Sequence, residues 1–520
     1  MTASTAPSVR LGRPLSLGDF EAVVFERRRV ALDAAERAAV ARCRAAVERL
    51  HLEGDRAPRI YGMNTGFGAL SETAILPAQI RELQRNLVRS HASGTGPVAP
   101  APLVRGMLLL RAQTLALAHS GVRPELIELL AELLNHNLLP RIPTQGSVGA
   151  SGDLAPLAHL ALALIGEGEV EAGGVVSPSR PALERAGLAP LELESKEGLA
   201  LINGTQFMAA AGLLGLLDAG RLLIAADIAG AMSLEALKGS KRPFDERLMS
   251  VRPHPGQALV AQNLRTLLAD SELMESHKDC GRVQDAYSLR CMPQVHGASR
   301  DALGFAETVL ACEMNSVTDN PIVFVGADGT ADVVSGGNFH GQPLAHVLDL
   351  AAIALAELSN ISERRVEHLL NPALSQGLTP FLAPNSGLHS GFMIAQVTAA
   401  SLVSENKVLC HPASVDSIPS SAGKEDHVSM GSVGARKLGM VVENVRRGLA
   451  IELLTAAAGL DQRLPLRAGK GVAAAHACVR RHVPPLTSDR PLASDIERVA
   501  ELIRTDELSG AVNAAVGPLV

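Results

Sequence analysis

The segment GSVGASGDLAP, at positions 146–156, holds the residues whose types and spacing point most directly to chemistry. Its side chains offer no histidine, cysteine, lysine or arginine, and only one carboxylate, Asp153. Its backbone, however, can react. If the Gly152 nitrogen attacks the Ala150 carbonyl and two waters leave, Ser151 becomes an exocyclic methylidene on a five-membered ring. This product is a strong electrophile, and glycine suits the attacking position because it has no Cβ.

The tyrosines are a second chemical signal, because the chain has only two of them and no tryptophan. Tyr61 lies in YGMNTGFG and Tyr287 lies in QDAYSLRC, both glycine-rich or polar segments. A phenol used mainly for packing would usually lie in an apolar helical stripe. With an ordinary pKa of about 10, a phenol acts as a base where its surroundings stabilise the phenolate. Two ordinary hydrogen-bonding tyrosines are the alternative.

Other polar residues suit ligand binding, although each has a simpler explanation. Arg290 follows Tyr287 closely enough to share one face of a helical turn. A guanidinium is the natural partner of a carboxylate, but an ion pair within the protein is the alternative. Asn203, in LINGTQ, faces a ligand or caps the following helix. The glycines of SGGNFHG, 335–341, suit a backbone that approaches a ligand. The charged cluster at 424–427 either forms part of a ligand-binding site or lies on the solvent-exposed surface.

These residues need a scaffold, and helical periodicity dominates the sequence. The predicted helices occupy 101–119, 124–139, 207–237, 257–270, 299–316, 341–370, 391–410 and 431–460. Several carry little charge on any face, which is typical of helices inside a bundle. Strand patterns are few and short, near 170–176 and at 321–326. The predicted fold is mainly α, a long-helix bundle core with a smaller mixed N-terminal region. The predicted divisions are 1–200, 201–460 and 461–520, the last a C-terminal helical tail.

The composition excludes several classes of protein. With 520 residues, 47% of them hydrophobic and 20% charged, the chain is globular. A net charge of −6 without a basic stripe argues against binding to nucleic acid. Six scattered cysteines, with no CxxC or HExxH pattern, predict reduced thiols and no metal site. The N-terminal MTASTAPSVRLGRPLS lacks the apolar run of a signal peptide, and charges interrupt the apolar segment 207–235. We therefore expect a soluble cytoplasmic protein with no membrane span.

Several motifs in one order identify a family, although the tripeptide alone does not, since Ala92-Ser93-Gly94 repeats it. The motifs are GSVGASGDLAPLAHLAL, YGMNTGFG, QRNLVRSHASGTG, EGLALINGTQ, QDAYSLRC, VTDNP, GGNFHG and the segment 411–431. In this combination the chain resembles the ammonia-lyases that use a methylidene-imidazolone group, MIO. The resemblance implies a helical, aromatic ammonia-lyase-like fold and a homotetramer whose subunits share active sites. It also implies a carbon–nitrogen lyase whose MIO group forms from Ala150, Ser151 and Gly152, without a metal or PLP.

The resemblance further implies roles for individual residues. Tyr61 would remove a proton from the β-carbon of the substrate, and Arg290 would hold the substrate carboxylate. Asn203 would hydrogen-bond near the MIO group or the substrate. The remaining pocket residues would be Gln284, Tyr287 and Phe339. The protein would thereby supply positioning and electrostatics around a built-in cofactor.

Two positions resemble the branch of the family that acts on histidine. His91, in SHASGTG, would face the substrate imidazole. Glu425 stands where this branch has glutamate and where lyases for phenylalanine or tyrosine typically have glutamine. A carboxylate hydrogen-bonds an imidazole N–H, but it costs free energy against a phenyl ring; Glu425 would also move protons. The implied reaction is removal of ammonia from L-histidine to give trans-urocanate, the first step of histidine degradation.

Three other interpretations remain open. The first is a lyase or aminomutase of the same family that acts on tyrosine or phenylalanine. Lys424 and His389 depart from the family pattern and bear on this substrate preference. The second is a helical scaffold that has lost catalysis, although both tyrosines and the tripeptide argue against it. The third is a nucleotide-binding module, but the glycine-rich stretch lacks a Gly-Lys-Ser/Thr ending and a preceding strand.

Overall fold

The structure, a computed structural model, describes residues 7–50 and 59–520, and these residues are mainly helical, as predicted. They form two compact units. Unit 1 contains the described residues up to Leu214, together with Glu307–Asp349 and Pro412–Arg436. Unit 2 contains Gly215–Ala306, Leu350–His411 and Lys437–Val520. Each unit joins separate stretches of sequence, whereas the predicted division at 200 and 460 follows chain order and stays a prediction.

Unit 1 is the mixed part of the described chain and carries its strands. They are Val9–Arg10, Val30–Ala31, Thr95–Val98, Leu139–Pro140, Pro143–Gln145, Glu169–Ala172, Val175–Pro178, Ile322–Val325 and Ala331–Val334. Val9–Arg10 pairs in parallel with Val30–Ala31, and the other pairings are antiparallel. The α-helices are Leu17–Val24, Ala34–Arg49, Ile80–His91, Ala101–Ala116, Pro124–Asn135, Leu154–Leu164, Ser179–Arg185 and Glu197–Ile202. Short 3-10 turns lie at Gly68–Leu70, Pro77–Gln79 and Ser421–Gly423.

Unit 2 is helical throughout its described elements. Its α-helices are Glu246–Ser250, Pro255–Leu267, Glu272–Ser276, Tyr287–Arg290, Met393–Leu409, Lys470–His482, Ala493–Arg504 and Glu507–Val516. Its 3-10 turns are Arg242–Phe244 and Pro380–Leu382. The longest helices have residues in both units: Gln206–Ala236, Met292–Met314, Gln342–Leu370 and Gly431–Asp461.

The predicted helices are confirmed, with one early start. Helix Met292–Met314 begins before the predicted start at residue 299. The sequence hides this early start, because proline and glycine, here Pro293 and Gly297, usually interrupt helices. Pro293 lies in the first turn, where a backbone N–H has no helical partner to lose. Gly297 packs closely on unit 2 backbone, since a Cβ there would lie 2.4 Å from the Gln257 nitrogen. Close packing therefore accounts for a glycine inside this helix.

Two of the long helices are apolar enough to be tested as membrane spans. By length and composition alone, Gln206–Ala236 and Gln342–Leu370 are candidates, with 56% and 72% of their apolar windows buried inside the protein. Core helices pass the same test, and burial accounts for the apolar run predicted at 207–235. The six cysteines, all within the described residues, form no disulfide there. The first six residues of the N-terminal stretch used for the localisation prediction lie outside the described part.

The turn between two helices of unit 1 positions the reactive tripeptide. Helix Glu197–Ile202 ends just before Asn203, and Gln206–Ala236 begins three residues later. Within this turn, Gly204 pairs as an isolated bridge with Gly152, and the Asp153 amide donates to the Gly204 carbonyl at 2.7 Å. The tripeptide is thus attached to the start of a 31-residue helix.

Candidate active site

A cavity of about 1070 Å³ lies in unit 1 and contains most of the predicted site residues. Its walls come from segments that are far apart in sequence, and all of its lining residues belong to this unit. The predicted residues that line it are Tyr61, His91, Ala150, Ser151, Asn203, Phe339 and Glu425. The fold therefore gathers an electrophile precursor, a phenol, an imidazole, an amide and a carboxylate around one space.

The tripeptide has a backbone that only glycine fits at its third position. Gly152 has a φ of +73°, in the left-handed region, and a Cβ there would lie 2.1 Å from the Gly204 oxygen. Ala150 is buried, and Ser151 is half-buried at the cavity wall. The Ser151 hydroxyl donates to Glu425 Oε1 at 2.6 Å. This geometry holds the three residues in a tight bend with the serine side chain facing the cavity.

The second Ala-Ser-Gly copy has a different environment. Its glycine amide, from Gly94, donates to His159 Nε2 at 3.1 Å. In the described part of the chain, the Gly152 amide donates no hydrogen bond. The attacking nitrogen is therefore unengaged in the copy at 150–152 and engaged in the copy at 92–94.

Asp153 anchors the tripeptide, and its role was missed in the sequence. Its carboxylate is fully buried, and Oδ2 accepts from the Phe207 and Met208 amides at 3.0 Å each. Oδ1 accepts from the hydroxyls of Ser432 at 2.7 Å and Ser147 at 3.3 Å. Burial raises the pKa of Asp153 to about 6 against these donors. A carboxylate directly after the tripeptide and before an apolar helix was the available signal.

Tyr61 is half-buried, with its ring edge against Phe67 at 6.0 Å between centroids. The Gly68 amide donates to its hydroxyl oxygen at 3.3 Å. Burial raises the pKa of Tyr61, the Gly68 hydrogen bond opposes that rise, and the charge of Glu425 adds to it. The surroundings of Tyr61 within unit 1 thus favour the neutral phenol. Stabilisation of the phenolate, which the sequence analysis considered, would require an additional positively charged group near the hydroxyl.

His91 presents a hydrogen-bond acceptor to the cavity. It ends helix Ile80–His91, and its Nδ1 lies 2.9 Å from the Leu87 carbonyl. Because a carbonyl oxygen only accepts, Nδ1 carries the hydrogen and Nε2 holds the lone pair. Burial lowers the pKa of His91, although Leu87 and Glu425 oppose this effect. The neutral ring is therefore suited to accept a hydrogen bond from a ligand N–H.

Glu425 is a second acceptor beside the tripeptide. Its Oε1 accepts from Ser151, and its Oε2 accepts from the Ser420 hydroxyl at 2.5 Å. Ser420 and Glu425 also pair as an isolated bridge, which fixes the backbone of this loop. Loss of the Ser151 hydroxyl during dehydration would leave Oε1 available to a ligand.

Asn203 is held on both its backbone and its side chain. The fully buried Arg111 donates from Nη1 to the Asn203 carbonyl at 2.7 Å, and burial lowers the Arg111 pKa to about 10. The Asn203 amide nitrogen donates to the Asn320 carbonyl at 3.1 Å, which directs its amide oxygen elsewhere. Asn320 follows Asp319, which pairs with Lys196 at 2.8 Å, and both charged side chains are fully buried. These supports were missed because the contacts join distant segments.

Three predicted residues lie in unit 2 and do not line this cavity: Gln284, Tyr287 and Arg290. Tyr287 and Arg290 share one helical turn, and the Arg290 guanidinium lies 4.6 Å from the Tyr287 ring centroid. Tyr287 is 71% exposed. Gln284 and Arg290 line a separate cavity of about 570 Å³ in unit 2, whose basic side chains include Lys238, Lys241, Arg242, Lys278 and Arg282. This basic surface suits an anionic group such as a carboxylate.

Two further histidines, His340 of SGGNFHG and His427 of the charged cluster at 424–427, received no individual role from the sequence and line the unit 1 cavity. The rings of His340 and His427 stack at 5.8 Å between centroids, and His340 Nε2 lies 3.3 Å from the His427 carbonyl. Lys424, noted above as a departure from the family pattern, lines the cavity as well. Across residues 7–50 and 59–520, no group of three or more His, Cys, Asp or Glu side chains is arranged to hold a metal ion.

Comparison with known proteins adds an independent line of information. The family model for aromatic amino acid lyases matches residues 15–481. The histidine ammonia-lyase of Sorangium cellulosum (strain So ce56) is 68% identical over 511 residues, which cover 98% of this chain and 99% of that protein. The histidine ammonia-lyase of Anaeromyxobacter sp. (strain K) is 57% identical and covers 95% and 97%.

Solved structures agree with the sequence relatives. The crystal structure of histidine ammonia-lyase from Trypanosoma cruzi has a TM-score of 0.89 at 44% identity and covers 98% of this chain and 96% of that one. The tyrosine aminomutase from Streptomyces globisporus has a TM-score of 0.92 at 38% identity and covers 98% and 99%. The predicted fold class is therefore confirmed.

Proposed function

Since this chain belongs to the aromatic amino acid lyase family, we propose that it is a histidine ammonia-lyase, which removes ammonia from L-histidine to give trans-urocanate. It is a carbon–nitrogen lyase. One observation carries the assignment of the site: Ser151 of the tripeptide lines the same cavity as Tyr61, His91 and Glu425. A precursor of an electrophile and the groups that would recognise an imidazole thus face one space.

The residues around 150–152 fit an MIO group formed from the chain itself. The third position accepts only a residue without Cβ, its amide nitrogen is unengaged, and Ser151 faces the cavity. When formed, this group supplies the electrophile that takes up the substrate amine and makes it a better leaving group. The reaction then requires no metal and no PLP. Asn203, held by Arg111 and Asn320, would hydrogen-bond beside this group or to the substrate.

The imidazole ring would be recognised by two acceptors. Neutral His91 presents Nε2, and Glu425 presents a carboxylate oxygen, so together they would accept from the two N–H groups of a protonated imidazole, whereas a neutral imidazole offers its single N–H to one of them. A phenyl ring has no such donor, and both acceptors would be desolvated without compensation. Tyr61 would take the proton from the β-carbon, and Phe339 would contribute apolar wall.

The substrate carboxylate would meet Arg290, with Tyr287 and Gln284 beside it. These residues belong to unit 2, and we propose that a homotetramer brings them to the unit 1 cavity of another subunit. Exposed apolar side chains on helix Met393–Leu409 support self-association, since Ile394, Val397 and Val408 are 65%, 53% and 72% exposed. We also propose that the protein is cytoplasmic and binds neither a membrane nor nucleic acid.

Substrate identity is testable by offering L-histidine, L-tyrosine and L-phenylalanine in parallel and following the ultraviolet absorbance of each unsaturated acid. We expect L-histidine to have the highest kcat/KM. Glu425→Gln should lower kcat/KM for L-histidine by roughly ten- to a hundredfold, because a hydrogen bond to a charged group is lost. Glu184→Gln makes the same chemical change at an exposed position and should leave it unaltered. Faster turnover of L-tyrosine or L-phenylalanine would favour the alternative, a lyase or aminomutase of the same family that acts on tyrosine or phenylalanine.

Formation of the built-in group is testable by intact-protein mass spectrometry. The purified chain should weigh less than its translated sequence by two water molecules and not by four, because only one of the two Ala-Ser-Gly copies has an unengaged glycine amide. Peptide mapping should locate the loss at 150–152. A chain at its full translated mass would contradict the proposed cofactor, and a loss at 92–94 would contradict its position.

A further inference from the structure

A fully buried ion pair in unit 2 has no part in the function proposed so far. Arg365 and Glu452 are both fully buried, and Arg365 Nη2 donates to Glu452 Oε2 at 2.8 Å. Ser233 adds a hydroxyl hydrogen bond to Glu452 at 2.7 Å. Taking both charges out of water costs roughly as much free energy as their attraction returns. Well-packed apolar residues would stabilise the unit about equally well, so stability alone gives no reason for the charges.

The same guanidinium is oriented by a buried histidine. His296 Nδ1 lies 2.8 Å from Asp227 Oδ1, and His296 Nε2 lies 3.5 Å from Arg365 Nη1. Asp227 also accepts from Asn263 at 2.8 Å and Arg300 at 2.9 Å, which fixes the carboxylate. Burial lowers the pKa of His296, so the neutral ring donates to Asp227 and offers Nε2 to Arg365. Arg365 is therefore held from two sides.

The remaining contact of Arg365 reaches the turn that carries Arg290. Arg365 Nη1 donates to the Ser288 carbonyl at 3.3 Å, and Ser288 lies within Tyr287–Arg290. A single four-residue turn has little stability of its own, so its orientation depends on contacts with its surroundings. In the described part of the chain, Arg290 Nε is buried without a hydrogen-bond partner. Arg290 also lines the unit 2 cavity, so the guanidinium beside Tyr287 is placed to meet a ligand acceptor there.

We propose that Arg365 is a positioning residue, which holds the turn Tyr287–Arg290 through the Ser288 carbonyl so that Arg290 meets the substrate carboxylate. The inference rests on the proposed function, because it takes Arg290 to be the carboxylate-binding group. Glu452 and His296 act through Arg365 by fixing the plane of its guanidinium. A misplacement of about 1 Å at such a group costs up to about a hundredfold in productive binding, which is why support behind the turn matters.

The test compares two ligands by calorimetry, with dissociation constants as the readout. Imidazolepropionate has the ring and the carboxylate, whereas histamine has the ring and the amine but no carboxylate. Arg365→Lys keeps a positive charge beside Glu452 but cannot reach Glu452 and Ser288 together. It should weaken imidazolepropionate about tenfold, in line with a lost charge-assisted hydrogen bond, and leave histamine unchanged. Glu452→Gln should likewise weaken the binding of imidazolepropionate and leave the binding of histamine unchanged. This variant tests the inference if Arg365→Lys does not fold.

Ser233→Ala is the matched control, because it removes a hydrogen bond to Glu452 without contact to Ser288. It should lower the Tm and leave both dissociation constants at the wild-type value. If the Arg365 and Glu452 variants also change only the Tm, or weaken both ligands equally, the pair is structural and the inference is wrong. Failure of the proposed function is distinguishable, since the wild-type protein itself would then bind neither ligand.

Discussion

Replacing Ser151 by alanine is expected to leave a folded protein that has not lost two water molecules and that turns over L-histidine at least roughly a thousandfold more slowly. Without the hydroxyl no second water can leave, so no methylidene forms and the cavity keeps only its binding groups. Intact mass and kcat, measured on the same preparation, test both parts of the expectation.

The control for this variant is built into the sequence. Ser93→Ala changes the serine of the other Ala-Ser-Gly copy, which is exposed and does not line the cavity. It should keep the loss of two waters and the wild-type kcat. Substantial turnover by Ser151→Ala, together with an unaltered chain mass, would show that the reaction proceeds without the modified tripeptide.

Replacing Tyr61 by phenylalanine is expected to lower kcat by roughly 10²- to 10⁴-fold, the usual contribution of a general base. The ring and its edge contact with Phe67 remain, so the fold should persist. The Gly68 amide loses its acceptor, which should cost about 1 kcal/mol of unfolding free energy. The loss of two waters and the affinity for imidazolepropionate should both be retained, because neither requires the phenol.

The pH profile provides a more specific test of Tyr61. Burial raises its pKa, so the neutral phenol predominates near neutral pH and only the small phenolate fraction acts as a base. That fraction grows as pH rises toward the raised pKa, and kcat should therefore increase from neutral to alkaline pH. The increase should be lost in Tyr61→Phe. A variant that keeps the wild-type profile would move the proton acceptor to another group, with Glu425 as the next to examine.

The helices were predictable because their signal is local. The apolar spacing of 342–370 and 431–461 is readable along the chain, and the helices there end within a residue or two of the predicted bounds. The early start at Met292 was not predictable, because the packing of Gly297 on the Gln257 backbone exists only in the folded unit. The grouping of separated segments into two units was equally out of reach, since it depends on contacts between distant residues.

The cavity residues were predictable as types but not as an arrangement. Motifs marked Tyr61, Asn203 and Glu425, yet their convergence on Ser151 depends on tertiary structure. Of the supporting residues, Asp319 and Asn320 lie in VTDNP, which marked the family without indicating a role for them, whereas Arg111 lies in no motif. Arg111 is one of two arginines in an apolar helix, and only its full burial and its hydrogen bond to the Asn203 carbonyl reveal its function. The sequence therefore indicates the residues that react with a ligand or recognise it. It does not indicate the residues that hold those side chains in place.

The anchoring of Asp153 has a consequence for the life history of the protein. Its carboxylate accepts hydrogen bonds from the backbone amides of residues 207 and 208 and from the hydroxyl of Ser432. All three donors follow the tripeptide in the chain and are therefore synthesised after it. A nascent chain on the ribosome lacks the last of these contacts until most of its length has been made. We therefore expect ring closure to follow the folding of segments that extend as far as Ser432, and a chain truncated before Ser432 to keep its full translated mass.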